Sequence, residues 1–428
     1  MKFLMFNLAL LLSFTAPSVA ATSGFKARVS EVLKQGLFQD GGAPPALPPS
    51  LEMEYQPMVL TMVASVKSRE PSRSGYWEVI EMPSVGIAGA CEGQIAANFR
   101  RSRSGSNDTF VIFPGSHASF ARGGYTNQTV EILERELGDP NIIALSGFQS
   151  EEFLRGRCRT ILWNSNAIGA DLHLRLAALQ QKLGLSGERT GVIGYSGGAT
   201  FVSVAMGQDG ARLKKGQPPV FGLGGISVSP ILDGRSTFAL LDTRHAMSSI
   251  YKSEGLLTYT WRTATRSLWH LLTKGWKAFY GMYTKRPQEF IDRGYNEFTV
   301  GFLRKAMEAT GVPSSELGGS LTYYRAYVEL GFQASTGVSD VERDAGFDRA
   351  TDIRPSLNGV KRPLLIYFSK DDPILSSYEG PYQPAVVTRV LGEASKNPNI
   401  LVFNPSYGGH TSVVVDPIFP DLVKAFFR

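Results

Sequence analysis

The stretch GVIGYSGGAT, residues 191–200, sets one serine, Ser196, among closely spaced glycines directly behind a short apolar run. A serine that served only a turn would not need Gly194 two positions before it and both Gly197 and Gly198 after it. Glycines are needed where the chain bends so sharply that side chains at the flanking positions would collide. The stretch therefore predicts a tight turn that presents the Ser196 hydroxyl at the end of a buried strand.

Similar apolar runs recur along the chain and alternate with helix-length stretches. Near-continuous apolar strands separated by helices are typical of a mostly parallel sheet that is covered on both faces. The sequence therefore predicts an α/β fold with a doubly wound sheet. The predicted strands lie within residues 58–66, 109–115, 141–147, 190–197, 220–230, 363–369 and 399–406. A helix is predicted over 170–188, where leucines recur about one turn apart and a glycine marks the end.

The organisation of the chain follows from changes in composition. The first 20 residues combine one lysine, an apolar stretch and small residues before a cut at Ala21, which predicts a signal peptide and a secreted or periplasmic protein. The stretch 41–50 is rich in proline and glycine, and the folded body is expected to begin after it. The predicted units are 1–20, signal peptide; 21–54, N-terminal segment with a Pro-rich linker; 55–232, first part of the core; 233–355, an inserted helical cap rich in aromatic residues; and 356–428, second part of the core.

Composition limits the classes of function. With 428 residues, 43% of them apolar, the chain can bury a core of the size found in enzymes and is too apolar to be disordered. Basic residues exceed acidic ones only slightly, 44 against 38, and no nucleic-acid motif accompanies them, so no nucleic-acid partner is expected. The arginines of FRRSRSGSND, residues 99–108, predict a solvated hairpin turn.

The chain has two cysteines, Cys91 and Cys158. A disulfide between them and two free buried thiols both remain open. They do not form a C-x-x-C pair, so no zinc site is predicted.

The pattern G-x-S-x-G, placed after a strand and before a helix, is the nucleophile elbow of the α/β hydrolases. Over about residues 55–428 the chain resembles the serine-hydrolase branch of that superfamily. The resemblance implies the order serine, acid, histidine along the chain. His410, in the Gly-rich stretch NPSYGGHTSV, lies after both the serine and the expected acid. The other four histidines precede the expected acid.

The resemblance also implies an acid and an oxyanion hole. Asp372 in PLLIYFSKDDPILSS is the favoured acid, its neighbour Asp371 is the alternative within the pair, and Asp233 is a second candidate after the preceding strand. The oxyanion donors are expected to be the backbone N–H groups of Gly197 and Ser116, with His117 as an alternative to Ser116. The sequence here has Pro-Gly where many members have His-Gly.

The function implied by the resemblance is hydrolysis of carboxylic esters by a serine nucleophile, without metal or organic cofactor. A serine at the elbow argues against dehalogenases and epoxide hydrolases, which carry aspartate there. The insertion is similar to that of capped abhydrolase-type esterases and lipases, which implies small-molecule or lipid esters with medium-chain acyl groups. An acyltransferase or a peptidase would use the same residues, and a non-catalytic binding protein on this fold also stays open.

An aromatic stripe interleaved with basic residues runs through residues 256–286. The stripe either packs the cap onto the sheet or roofs an apolar acyl pocket. In the second case the basic residues would face water or an anionic lipid surface, which predicts peripheral membrane contact through the cap.

Overall fold

The computed structural model describes residues 16–36, 77–85, 93–115, 124–147, 150, 164–250, 304, 308, 315, 322–333, 336–372, 375, 385–406 and 408–428. Its centre is one sheet of eight strands in the order β1-β2-β4-β3-β5-β6-β7-β8. Strand β2 runs antiparallel to both of its neighbours, and all pairs from β4 to β8 are parallel. The strands are β1 (Glu78–Met82), β2 (Ile95–Arg100), β3 (Thr109–Phe113), β4 (Asn141–Leu145), β5 (Thr190–Tyr195), β6 (Gly224–Val228), β7 (Leu364–Tyr367) and β8 (Ile400–Phe403).

Helices pack on both faces of this sheet or against its helical layers. They are α1 (Ala16–Leu33), α2 (Gly124–Leu137), α3 (Ser165–Leu183), α4 (Gly197–Lys214), α5 (Gly234–Ile250), α6 (Asp340–Thr351), α7 (Arg354–Gly359), α8 (Ala385–Ser395) and α9 (Phe419–Phe427), with a π-helix over Arg325–Gln333. Short 3-10 turns span Gly187–Arg189 and Ser412–Val415. Among the described residues, no helix is long and apolar enough to cross a membrane.

Alternate residues of the strands enter two separate apolar clusters. Val192 of β5 packs with α3 and α4 on one face, whereas Ile193 packs with α2 and α9 on the other. Strand side chains point to opposite faces in turn, so a strand buried on both faces must be apolar at every position. This confirms the predicted doubly wound sheet and six of its predicted strands; the apolar run 58–66 and both cysteines lie outside the described residues.

Strands β1 and β2 are absent from the sequence-based prediction, and the hairpin turn predicted at 99–108 is wrong. The segment after β2 leads to β3, which is not a neighbour of β2 in the sheet. Arg100 is buried rather than solvated and forms ion pairs with Glu134 and Asp139. Asp139 also accepts hydrogen bonds from the backbone N–H groups of Arg103 and Ser104. The arginine therefore ties the end of β2 to the loop between α2 and β4.

The prediction that the folded body begins after the Pro-rich stretch is wrong. Helix α1 precedes that stretch and is packed. Phe25, Val29 and Leu33 are buried in the same cluster as α9. The rings of Phe25 and Phe426 meet edge to face at 5.7 Å between centroids. A helix whose apolar stripe is covered in this way is part of the domain.

The chain between β6 and β7 forms a long insertion, whose described segments are helical. These segments are α5, the π-helix, α6 and α7. Phe238 of α5 stacks on Tyr327 of the π-helix at 4.5 Å between ring centroids and also meets Phe347 of α6. All three rings belong to the cluster that includes α3 and α4. This part of the insertion therefore packs against the helical layer of the core, and residues 251–303 lie outside the described residues.

Candidate active site

Ser196 follows the last residue of β5 and precedes the first residue of α4. Its backbone has φ 53° and ψ −125°, a conformation that residues other than glycine adopt rarely and at a cost of about 1–3 kcal/mol. The Ser196 N–H donates to the carbonyl of Val228 at the end of β6, 2.9 Å away. This conformation turns the chain from strand to helix within one residue and leaves the Ser196 side chain partly exposed. The tight turn predicted from the glycine spacing is confirmed.

The flanking glycines are required by close approach of the backbone. A Cβ atom on Gly194 would lie 2.6 Å from Val202 Cγ2 and 2.7 Å from the Gly198 carbonyl oxygen. A Cβ atom on Gly198 would lie 2.5 Å from the Phe113 carbonyl oxygen and closer still to that of Pro114. Real Cβ contacts are not this short, so any side chain at either position would displace the start of α4 or the end of β3.

The loop after β3 passes directly beside the serine. A Cβ atom on Gly115 would lie 3.5 Å from Ser196 Cβ. The backbone of Pro114-Gly115 therefore reaches the Ser196 side chain, where the predicted second oxyanion donor is needed. Ser116 and His117, the two candidates for this donor, lie outside the described residues.

Tyr195, which lies between Gly194 and Ser196, anchors the turn to α2. Its hydroxyl forms a 2.6 Å hydrogen bond with Thr129 Oγ1, and its ring stacks on Tyr125 at 5.8 Å between centroids. Complete burial raises the pKa of the Tyr195 phenol, so it stays neutral and bonded across the range of pH in which proteins fold. Sequence reasoning missed this contact, because the pattern G-x-S-x-G places no requirement on that position.

His410 and Asp372 form a buried pair. His410 Nδ1 lies 2.8 Å from Asp372 Oδ2, and the two side chains are 8% and 0% exposed. The second carboxylate oxygen of Asp372 accepts from the Leu375 N–H at 3.0 Å. Asp372 is held at the end of β7 by its own contacts, so it can fix the orientation of the imidazole. Because Nδ1 faces Asp372, Nε2 is the ring nitrogen on the side away from this carboxylate.

Two hydrogen bonds to consecutive residues join the serine turn to the histidine loop. Ser196 donates its N–H to Val228, and Thr411, next to His410, donates its N–H to the hydroxyl of Ser229 at 3.1 Å. Strands β5, β6, β7 and β8 are parallel, so their carboxyl ends lie at one edge of the sheet. Ser196, Asp372 and His410 therefore all follow strand ends at this edge.

The alternative acids have other partners. Asp233 accepts from the Ser236 N–H at 2.7 Å, at the start of α5. A carboxylate in this position caps the helix N-terminus. Asp371 accepts backbone N–H groups from the histidine loop, at 3.2 Å from Gly408 and 3.0 Å from Gly409. The described geometry thus pairs His410 with Asp372 among the three candidates.

His173, the one earlier histidine whose side chain the structure describes, lies on α3. Its Nε2 lies 3.1 Å from Asp209 Oδ1, and the ring is buried. Asp209 also accepts from the N–H groups of Val220 and Phe221. This histidine therefore packs the helical layer. Within the described parts of the chain, no group of three or more histidine, cysteine, aspartate and glutamate residues could hold a metal ion.

Comparisons of the sequence with protein-family models and with curated proteins give no match. A comparison with solved structures finds an esterase of Pyrococcus furiosus at 15% identity and a TM-score of 0.42, covering 84% of this chain and 96% of that one. A 2,6-dihydroxy-pseudo-oxynicotine hydrolase is similar at 12% identity and a TM-score of 0.43, covering 86% and 70%. An acylaminoacyl peptidase of Pyrococcus horikoshii is similar at 10% identity and a TM-score of 0.39, covering 83% and 40%.

Proposed function

We propose that the chain is a serine hydrolase that cleaves carboxylic esters through an acyl-enzyme on Ser196. The observation that carries the proposal is the Ser196 turn at the same sheet edge as the buried His410–Asp372 pair. A serine hydroxyl is a weak nucleophile at its own pKa and needs an adjacent base, and that base needs a group to orient it. The three residue types of such a triad follow three strand ends in the order expected for an α/β hydrolase.

The first half of the reaction acylates the serine. His410 Nε2 takes the hydroxyl proton while Ser196 Oγ bonds to the acyl carbon, and the carbonyl oxygen becomes an oxyanion. The N–H groups of Gly197 and Ser116 donate to this oxygen, and Asp372 stabilises the imidazolium through Nδ1–H. The intermediate then expels the alcohol, which receives the proton from His410. The second half repeats these steps with water as the nucleophile and releases the carboxylic acid and the free Ser196 hydroxyl.

The nature of the turn supports the role of Gly197 in this scheme. Ser196 occupies the N-cap position of α4 and Gly197 is its first residue. The first N–H groups of a helix have no partner within the helix, and the helix dipole favours negative charge at this end. An oxyanion that forms on the Ser196 side would therefore meet donors already oriented toward it.

The substrate class proposed is small-molecule or lipid esters with a medium-chain acyl group. Its support is the aromatic and basic stripe of residues 256–286, which lies outside the described residues. The described aromatic residues of the insertion, such as Phe238, Tyr327 and Phe347, pack against the core.

A fluorophosphonate probe together with a chromogenic p-nitrophenyl ester tests the proposal. The wild-type chain should be labelled and should turn over the ester, whereas Ser196→Ala should lose the label and several orders of magnitude in kcat. Ser395→Ala is the matched control, because Ser395 is an exposed serine at the end of α8, and it should keep both. Undiminished labelling and turnover by a folded Ser196→Ala variant would remove this serine from the reaction.

A further inference from the structure

Asp371 lies beside the proposed triad and has a different set of contacts from Asp372. The residue is 1% exposed, and its carboxylate accepts two backbone N–H groups, from Gly408 on Oδ2 and from Gly409 on Oδ1. Both donors belong to the loop that carries His410, and they lie 37 and 38 residues further along the chain. One side chain at the end of β7 therefore engages the two residues that immediately precede His410.

We propose that Asp371 is a positioning residue that fastens the loop of His410 through the Gly408 and Gly409 amides. The inference rests on the proposed function, since it concerns how the catalytic histidine is held. Asp371 acts through His410 and does not contact the substrate.

The backbone of this loop explains why it needs an external fastening. Gly408 has φ 156° and Gly409 has φ 65°, and Thr411 after the histidine has φ 57°. Glycines restrict φ and ψ least of all residues, so a Gly-Gly pair contributes little to holding its own conformation. The two bonds to Asp371 on one side of His410, and the bond from Thr411 to Ser229 on the other, fix the loop at both ends.

Small displacements of this loop matter for the reaction. The 2.8 Å contact between His410 Nδ1 and Asp372 sets the direction in which Nε2 points. A misplacement of about 1 Å in a catalytic constellation can cost about 100-fold in rate. Loss of the Asp371 contacts should therefore lower kcat while leaving substrate binding nearly unchanged.

The protonation of Asp371 supports the same role. The pKa of this carboxyl is raised to about 7, chiefly by burial and in addition by the negative charge of Asp372, while the Gly409 and Gly408 amides oppose the rise. The Tyr367 phenol on β7 interacts electrostatically with both Asp371 and Asp416. A proton on either carboxyl oxygen would place an O–H donor opposite the N–H of Gly408 or Gly409. One of the two hydrogen bonds to Asp371 would then be lost. The loop is therefore fastened above about pH 7 and loosened below it.

The test compares pH profiles of kcat/KM for the wild-type chain and Asp371→Asn. In the wild type, activity should fall as the pH is lowered through about 7, because protonation of Asp371 loosens the loop. In Asp371→Asn the amide NH₂ replaces one acceptor, so kcat should be about 10- to 100-fold lower with KM nearly unchanged. The fall through about pH 7 that depends on Asp371 should be absent from its profile.

Asp416→Asn is the matched control. Asp416 is also a buried aspartate near the histidine loop, but its Oδ1 accepts from the Ile418 N–H at 3.0 Å instead of from the glycines. This variant can lose stability, yet its profile should keep the wild-type fall through about pH 7. A wild-type pH profile and a wild-type kcat in Asp371→Asn would overturn the positioning role.

A measurement on the wild type alone covers the case in which Asp371→Asn does not fold. Hydrogen exchange of the peptide that includes Gly408 and Gly409, corrected for intrinsic exchange rates, should show protection that falls as the pH is lowered through about 7. Protection that is constant across this range would overturn the inference even if the chain is an active hydrolase. Absence of any Ser196-dependent turnover in the wild type would overturn the proposed function, and the positioning role with it.

Discussion

The close approach of Gly198 to the end of β3 gives a quantitative test of how the serine turn is built. In Gly198→Ala the new Cβ would lie 2.5 Å or less from the carbonyl oxygens of Phe113 and Pro114. Overpacking typically costs about 1–3 kcal/mol. We expect the upper end, about 3 kcal/mol, because backbone carbonyls at the end of a central strand cannot rotate away as a side chain can.

Gly392→Ala provides the matched comparison. Gly392 lies inside α8, and a Cβ there would meet no atom within 4 Å. Both variants exchange glycine for alanine in a helix, which by itself stabilises by up to about 1 kcal/mol. The difference between the two variants in free energy of unfolding therefore isolates the steric term, and we expect Gly392→Ala to be slightly more stable than the wild type.

The assay is urea unfolding of both variants, followed by circular dichroism, together with kcat/KM on a p-nitrophenyl ester. Relief of the crowding in Gly198→Ala must move the Pro114-Gly115 backbone or the start of α4, both of which adjoin Ser196. Activity should therefore fall about 10- to 100-fold, whereas Gly392→Ala should keep wild-type activity. Equal stability and equal activity of the two variants would refute the account of the turn.

Two further predictions concern the acid and the substrate. Asp372→Asn should lower kcat by about 10⁴-fold, as when a triad carboxylate becomes an amide. Asp233→Asn should have little effect on kcat, because asparagine caps a helix about as well as aspartate. A large loss of activity in Asp233→Asn would show that the acid is misassigned. If the stripe at 256–286 roofs an acyl pocket, kcat/KM should rise from acetyl to medium-chain p-nitrophenyl esters, since each buried methylene contributes up to about 0.8 kcal/mol. A steady fall beyond C4 in the series from C2 to C12 would exclude that pocket.

The parallel part of the sheet was predictable from sequence because each strand is buried on both faces and is apolar throughout. Strand β2, IAANFR, was not predictable in this way, since it buries Asn98 and Arg100 among its apolar residues. Arg100 is tolerated there because Glu134 and Asp139 pair with it, and those partners come from a helix and a loop 34 and 39 residues away in the chain. A pairing of this range leaves no pattern within the strand itself.

The candidate site shows the same division. The tight turn at Ser196 was recognisable because local backbone geometry requires the glycines around it. These glycines lie next to the serine in the sequence. The contacts of Asp371 were not recognisable, although two adjacent aspartates after a strand and two adjacent glycines before a histidine are both visible in the sequence. Only the fold brings the two pairs together, so sequence reasoning assigned one aspartate a role and left the other as its neighbour.

The packing of α1 against α9 has a consequence for the order of events during synthesis. Arg28 donates to the carbonyl of Ala425, a contact that spans 397 residues. A ribosome adds about 5–20 residues per second, so the partner of α1 is made roughly 20–80 seconds after α1 itself. Throughout that interval the apolar stripe of Phe25, Val29 and Leu33 lacks its native cover and is accessible to chaperones or to a translocation apparatus. Closure of the two helices is therefore possible only after the last residues of α9 have been made.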